Sequence, residues 1–340
     1  MSIKPGKKWM KIQTLEMHSG GEPLRIITGG IPAIPGKTIL EKRKHFKENL
    51  DHIRTATMWE PRGHADMYGA IITEAVTPDG DFGVFFLHNE GYSTMCGHGI
   101  LALTRYVLES GVLEKSGLHR DIKIDTPSGR IISSATYKPG KPMELSFQNV
   151  PSFVFLENEL LDVPGIGRIN IDIAFGGAFY AYCNARELGL NLDSSDYTKL
   201  IEYGRRIKKA VVNNFTPKHP KHPELGFLYG VIFTGDPYNY NNHSRNVCIF
   251  ANGELDRSPT GTGVSARAAI HYAKGELKVG ERIRIESILG STMDVEIMEV
   301  VDYGSRQAVI PVVYGNSWYT GQNEIWIDPE DPFANGFIFR

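Results

Sequence analysis

The chain has 340 residues, which suggests two domains or one large one, and its 41% hydrophobic content is sufficient for extensive cores. Its 37 basic and 39 acidic residues give a net charge of −2, which argues against nucleic acid as the main partner. No apolar run approaches the roughly 18 residues of a membrane span, and the N-terminus lacks a signal peptide's apolar core, so we expect a cytoplasmic protein without a membrane partner.

The local pattern predicts mostly short strands, where β-branched or aromatic runs lie between Gly, Pro, Asp or Asn. Four stretches have the apolar spacing of amphipathic helices. In chain order the sequence predicts a helix at 40–49, strands at 70–76 and 82–87, a helix at 100–110, a strand at 122–125, a helix at 195–209, strands at 231–234 and 247–250, a helix at 264–274 and a strand at 283–285.

Four motifs of the first half recur in the same order in the second half. They pair residues 18–21 with 175–177, 68–73 with 229–234, 95–99 with 259–263, and 125–129 with 286–290. The separation is nearly constant, being 161 residues for Tyr68 and Tyr229 and 164 for Cys96 and Thr260. Such a repeat predicts an α+β fold of two pseudo-symmetric lobes, each a curled, mostly antiparallel sheet around a central helix.

The repeat also predicts the division of the chain. We expect an N-terminal lobe at residues 1–160, which carries Cys96, and a C-terminal lobe at 165–324, which carries Thr260, with the active site between them. Pro and Gly residues cluster in 156–168, which places the linker there. The last residues, 325–340, are either an ordinary final strand or a segment that packs back on the first lobe.

The three cysteines do not form a disulfide framework, because they are few, odd in number and widely spaced. No Cys-x-x-Cys or His-Glu-x-x-His motif occurs, so a zinc site has no support. Cys183 and Cys248 lie in strand-like apolar surroundings, and we interpret both as inert core residues.

Cys96 differs from these two because Gly97-His98-Gly99 and a helix follow it. A helix start leaves backbone N–H groups unpaired and carries partial positive charge, so a reactive thiol with a lowered pKa is one interpretation. A buried cysteine that opens a helix is the other. Gly261-Thr262-Gly263 repeats the arrangement, and two such helix starts facing each other would hold one carboxylate from both sides.

Four motifs closely resemble the proline racemase family. They are Met-Cys-Gly-His at 95–98, Asp-Arg-Ser-Pro-x-Gly-Thr-Gly at 256–263, and the segments 18–23 and 60–69. The resemblance spans nearly the whole chain. It implies a fold similar to diaminopimelate epimerase, with an active site between two lobes and no cofactor. Relatives in the family are often homodimers, which makes a homodimer an expectation here.

The resemblance also implies roles for individual residues. Cys96 matches the first catalytic thiol. The groups around the substrate carboxylate match Gly97, His98, Gly261 and Thr262, and those near the substrate's ring amine match His98 and Asp256. Without the family, Asp256 could be a capping residue and His98 a structural histidine. His18, His64 and Asp66 also lie in family motifs, and we expect them to support the cleft.

Thr260 stands where the racemases carry a second cysteine. Racemisation needs an acid–base group on each face of Cα with a pKa within reach of neutrality, which a thiol has and a threonine hydroxyl lacks. One base is sufficient for elimination. The Cys96–Thr260 pair therefore resembles the trans-3-hydroxy-L-proline dehydratases of the family, with Cys96 as base and Thr260 binding or helping to protonate the departing hydroxyl.

Two other functions stay open from the sequence. One is a proline racemase or 4-hydroxyproline epimerase in which Thr260, with help, still delivers a proton. The other is a non-catalytic amino-acid-binding protein, against which the retained Cys96 argues. In each case the partner is a small molecule, and for the dehydratase it is a hydroxylated proline.

Overall fold

The computed structural model of the chain describes residues 3–112, 121–137, 140 and 142–339. These residues form five α-helices and one network of 18 hydrogen-bonded strands. The strands are β1 (Met10–Ser19), β2 (Glu22–Gly29), β3 (Tyr68–Thr73), β4 (Phe82–His88), β5 (Gly91–Ser93), β6 (Ile122–Thr126), β7 (Gly129–Thr136), β8 (Glu144–Gln148), β9 (Phe153–Val163), β10 (Gly167–Phe175), β11 (Phe179–Asn184), β12 (Leu228–Gly235), β13 (Ser244–Phe250), β14 (Glu254–Asp256), β15 (Arg282–Glu286), β16 (Thr292–Tyr303), β17 (Arg306–Gly315) and β18 (Trp318–Ile327). The helices are α1 (Ile39–Asn49), α2 (Asp51–Met58), α3 (Gly97–Ser110), α4 (Tyr197–Asn214) and α5 (Gly261–Ala273).

The second half repeats the strand pairing of the first half, nine strands later. β2–β3 and β4–β6 are parallel, as are their counterparts β11–β12 and β13–β15. The pairs β3–β4, β4–β5 and β6–β7 are antiparallel, as are β12–β13, β13–β14 and β15–β16. The predicted duplication and the mostly antiparallel sheets are therefore present.

The two halves exchange strands at their ends. β9 pairs with β10 of the second half, while β18 pairs with β1 of the first half, and β8 pairs with β17 across the middle. The segment in which we expected the linker is therefore the hairpin of β9 and β10. At the C-terminal end, Phe337 also forms a bridge to Glu60. The limits of the two lobes stay a prediction, since strand pairing joins β9 to the strands of the second half and β18 to those of the first half.

One helix forms the centre of each half, α3 in the first and α5 in the second. In α3 the residues from Gly97 to Thr104 are all buried, and in α5 those from Gly261 to Ile270 are all buried. Helices hydrophobic on every side belong inside a core. Around α1 and α2 a separate cluster, which includes Phe46, Ile53 and Phe85, covers the outside of the first sheet.

The remaining helix, α4, packs on the second sheet through Leu200, Ile207 and Val211. The sequence did not predict α2, because its threonines and short length give a weak helical signal. Across the described part of the chain, no helix is both long enough and apolar enough to cross a membrane.

Candidate active site

The N-termini of α3 and α5 meet at their first glycines. A Cβ atom on Gly97 would lie 2.5 Å from the Cα of Gly261, and one on Gly261 would lie 2.6 Å from the Cα of Gly97. Both distances are too short for a side chain, so only glycine permits this approach of two backbones. The unpaired N–H groups and the positive ends of both helix dipoles consequently face the same space.

That space is a small buried cavity of ≈ 20 Å³. All seven predicted site residues line it, namely Cys96, Gly97, His98, Asp256, Thr260, Gly261 and Thr262. Aromatic side chains complete the wall, among them Tyr68, Tyr180, Tyr229 and Phe250. A volume of this size holds about one water molecule, so a proline ring enters only if the lining groups move apart.

Cys96 is the N-cap residue of α3, and its Sγ accepts a hydrogen bond of 3.3 Å from the backbone N–H of Gly99. A lowered pKa was one of our two interpretations of this thiol and a buried cysteine was the other, and the structure shows the buried cysteine. Burial raises the pKa of Cys96 well above its ordinary value, although the Gly99 N–H and a hydrogen bond with Tyr68 oppose the rise. The helix-end charge is outweighed because the thiol lies in a dry site, where the thiolate loses its hydration.

His98 lies directly beside the thiol, with its Nδ1 3.1 Å from the Sγ of Cys96. Its backbone carbonyl accepts a 2.8 Å hydrogen bond from the hydroxyl of Ser19, which holds the helix start against β1. Burial lowers the pKa of His98 to about 4, so the imidazole is neutral at pH 7. It therefore acts as a hydrogen-bonding group and not as a fixed positive charge.

Thr260 occupies the matching position at the start of α5 but is held differently. Its φ is 69°, a left-handed conformation that is rare for a β-branched residue. Its side chain does not cap the helix, and its hydroxyl instead donates a 2.9 Å hydrogen bond to the carboxylate of Asp256. The other carboxylate oxygen of Asp256 accepts from the backbone N–H of Ser258. Among the described hydrogen bonds, the Asp256 carboxylate is therefore the acceptor of the Thr260 hydroxyl proton.

Three tyrosines close the cavity. The repeated residues Tyr68 and Tyr229 meet near the boundary of the halves, with their hydroxyl oxygens 3.4 Å apart. The Tyr68 hydroxyl donates a 2.7 Å hydrogen bond to Ser93, and Tyr180 forms one of 2.7 Å with the hydroxyl of Thr262. Burial raises the pKa of all three phenols well above the ordinary value, so they are neutral at pH 7.

Comparison with known proteins places the chain in a family. The model of the proline racemase family matches residues 14–338. The chain belongs to the proline racemase family. Within it, a trans-3-hydroxy-L-proline dehydratase of Colwellia psychrerythraea is 51% identical over 334 residues, covering 98% of this chain and 94% of that protein. A protein of the same name from Bacillus cereus is 44% identical over 325 residues, covering 96% and 97%.

A solved structure of the family has the same fold. The hydroxyproline epimerase of Agrobacterium vitis, with bound trans-4-OH-L-proline, superposes with a TM-score of 0.91 at 28% identity, over 98% of this chain and 96% of that one. The predicted α+β fold of two pseudo-symmetric lobes is confirmed.

Two features around this candidate site were not predicted from the sequence. Cys248, interpreted as an inert core residue, is buried as expected but lines the candidate cavity together with Thr260. The strand register could have indicated this, because Cys248 lies opposite Asp256 in the β13–β14 pair. The second feature is a buried pair of His88 and Glu254, 2.9 Å apart, which joins the two halves behind the tyrosines.

A further layer of charges supports the loop before α5. Glu22 is fully buried and accepts a 2.7 Å hydrogen bond from the backbone N–H of Arg257, whose guanidinium lies 2.9 Å from the same carboxylate. That guanidinium also lies 3.7 Å from Asp66. The His18 ring accepts from the N–H of Gly21 in the β1–β2 turn, and among the described hydrogen bonds the exposed side chain of His64 contacts only the carbonyl of Ala65. Within the described residues, no group of three or more His, Cys, Asp or Glu is arranged to hold a metal ion.

Proposed function

We propose that the chain is a trans-3-hydroxy-L-proline dehydratase, which removes water to give Δ1-pyrroline-2-carboxylate. The observation that carries the proposal is a duplicated helix-start cradle with a thiol, Cys96, at one side and a hydroxyl, Thr260, at the other. The names of the Colwellia and Bacillus relatives, at 51% and 44% identity, support the same activity.

Substrate binding would begin with the carboxylate. We propose that it lies between the first turns of α3 and α5, where Gly97, Gly261 and Thr262 present backbone N–H groups and both helix dipoles favour a negative charge. The same donors stabilise the charge that builds on the carboxylate when Cα loses its proton. Asp256 would hold the ring ammonium, and the hydrogen bond from Thr260 fixes the direction of that carboxylate. His98, which adjoins the thiol, completes the cradle.

Cys96 is the proposed base. Burial and the resulting high pKa make its thiolate a stronger proton acceptor than an exposed thiolate, at the expense of the fraction ionised at neutral pH. The Cα–H electron pair forms a C2=C3 double bond as the C3–O bond breaks. The enamine produced then tautomerises to the imine. We expect no cofactor for this reaction, because each step is a proton transfer or a bond cleavage that these side chains support.

The alternative is racemisation or epimerisation, which the solved relative from Agrobacterium vitis makes relevant. It requires a second proton donor on the far face of Cα, where Thr260 donates its hydrogen to Asp256. A non-catalytic binding protein is the third possibility. Incubation with trans-3-hydroxy-L-proline, trans-4-hydroxy-L-proline and L-proline in deuterated water separates the three.

A dehydratase converts only the 3-hydroxy compound, to a pyrroline that borohydride reduces. An epimerase gives deuterated D-products from the other two compounds, and a binding protein gives neither. Absence of pyrroline from trans-3-hydroxy-L-proline contradicts the proposal. As a companion test, Thr260→Cys should introduce measurable epimerase activity. It is assayed under reducing conditions, because Cys248 contacts position 260, and Thr260→Ser is the matched control without a thiol.

A further inference from the structure

The stereochemistry of the proposed substrate restricts where the acid of the reaction lies. In trans-3-hydroxy-L-proline the hydroxyl is trans to the carboxylate, so it is on the same ring face as the Cα hydrogen. The base that removes this hydrogen approaches from that face. If Cys96 is the base, as the proposed function holds, the hydroxyl leaves on the Cys96 side. Thr260 starts the opposing helix on the other side, so it does not fit the role of acid that its sequence position suggested.

Three side chains adjoin Cys96 within the first half of the duplication. His98 is one, but burial keeps it neutral at pH 7, and its Nδ1 lies 3.1 Å from the thiol sulfur. The hydroxyl of Ser93 is another, and it donates to the carbonyl of Met95. An aliphatic hydroxyl is also a very weak acid. The third is Tyr68, whose phenol is intrinsically a far stronger acid than an aliphatic hydroxyl, although burial raises its pKa here.

Tyr68 is well placed for proton transfer. Its ring packs edge-on against His98 with centroids 4.9 Å apart, its hydroxyl donates a hydrogen bond to Ser93, and it lines the same small cavity as Cys96. The Tyr229 hydroxyl, 3.4 Å away, can donate to the Tyr68 oxygen when the Tyr68 proton is given up. Both tyrosines are buried and line the cavity, so water does not compete for the leaving group.

We propose that Tyr68 is the acid that protonates the departing 3-hydroxyl. The Cα proton goes to the sulfur of Cys96, the C3–O bond breaks with its electron pair on oxygen, and the Tyr68 O–H proton completes a water molecule. The phenolate that remains accepts a hydrogen bond from Tyr229. The thiol proton of Cys96 then moves to the phenolate, which restores the thiolate and the phenol without an external acid.

The test compares two leaving groups. Chloride departs without a proton, whereas hydroxide requires one, so trans-3-chloro-L-proline bypasses the acid but not the base. For Tyr68→Phe we expect kcat on trans-3-hydroxy-L-proline to fall by about 10²- to 10⁴-fold, the usual contribution of a general acid. Elimination from the chloro compound should fall far less, because chloride needs no proton, the cradle is intact, and Cys96 is retained and loses only the pKa-lowering influence of the Tyr68 hydroxyl.

Two further variants serve as controls for this comparison. Tyr229→Phe is the matched control, since it removes the equivalent hydroxyl in the other half, and its loss on the hydroxy compound should be smaller than that of Tyr68→Phe. Cys96→Ser should lose both eliminations. Equal losses of Tyr68→Phe on both compounds would show a structural role, and full activity on the hydroxy compound would show that the Cys96 thiol itself returns the proton. Either result overturns the proposal for Tyr68, whereas a wild-type protein that forms no pyrroline overturns the proposed function instead.

Discussion

The contact of Gly97 with Gly261 offers a direct test of the carboxylate cradle. Gly97→Ala would place a methyl group 2.5 Å from the Cα of Gly261. Carbon atoms pack at about 3.5–4.0 Å, so the two helix starts must separate by about 1 Å. Overpacking of this kind costs about 1–3 kcal/mol of stability. A misplacement of about 1 Å in a binding site can reduce kcat/KM by about 100-fold.

Pyrroline formation and thermal unfolding measure the two effects separately. Gly261→Ala should behave like Gly97→Ala, because a methyl group there lies 2.6 Å from the Cα of Gly97. Gly321→Ala is the matched control on β18, where nothing lies within 4 Å of the new Cβ, and it should leave activity and stability unchanged. If either cradle variant keeps wild-type kcat/KM while its melting temperature falls, the carboxylate is not held between these helix starts, and the reasoning is refuted.

Three other predictions concern the groups around the cradle. Thr260→Val keeps the branched shape but removes the hydrogen bond to Asp256, so the free energy of unfolding should fall by about 1.5–3 kcal/mol and substrate binding measured by calorimetry should weaken; unchanged affinity would show that Asp256 needs no such support. Because the thiolate of Cys96 is the active form and burial raises its pKa, kcat/KM should rise with pH from 7 to 9, and a flat profile would contradict a thiolate base. Burial lowers the pKa of His98 to about 4, so as the pH falls from 6.5 towards 4 the unfolded chain binds a proton that the folded one does not. The wild-type protein should therefore lose up to ~3 kcal/mol more stability over that range than His98→Asn in urea unfolding, and equal losses would contradict a buried neutral histidine.

The sequence contained the duplication and the residues of the cavity, because both are written in local motifs. It placed the starts of the two central helices three residues late, at Ile100 and Val264, since the glycines of the first turn have low helix propensity. The direction of the pKa shift at Cys96 could not be predicted from the sequence, because the burial that raises this pKa depends on tertiary packing. The contact between His88 and Glu254 could not be predicted either, because no sequence motif links two residues 166 positions apart.

The two halves are alike at the positions proposed to face the symmetric carboxylate, and they differ at the positions proposed to face the rest of the substrate. A carboxylate has two equivalent oxygens, and the glycines proposed to face it, Gly97 and Gly261, are the same in both halves. An amine and an acidic C–H bond lie on different sides of that carboxylate. There the equivalent positions differ, with Cys96 at the start of α3 and Thr260 at the start of α5.

The backbone conformations of Cys96 and Thr260 also differ between the two halves. Cys96 has an extended conformation with φ of −146° and caps its helix, whereas Thr260 has a φ of 69° and turns its hydroxyl to Asp256. A left-handed conformation at a β-branched residue costs of order 1–3 kcal/mol, which the surrounding contacts must offset. In the proposed site, the strained backbone at Thr260 orients the carboxylate of Asp256 for the ring ammonium, whereas Cys96, whose backbone is unstrained, takes the proton. One substitution at position 260 restores a thiol but leaves this backbone difference in place, so Thr260→Cys should gain epimerase activity well below its remaining dehydratase activity.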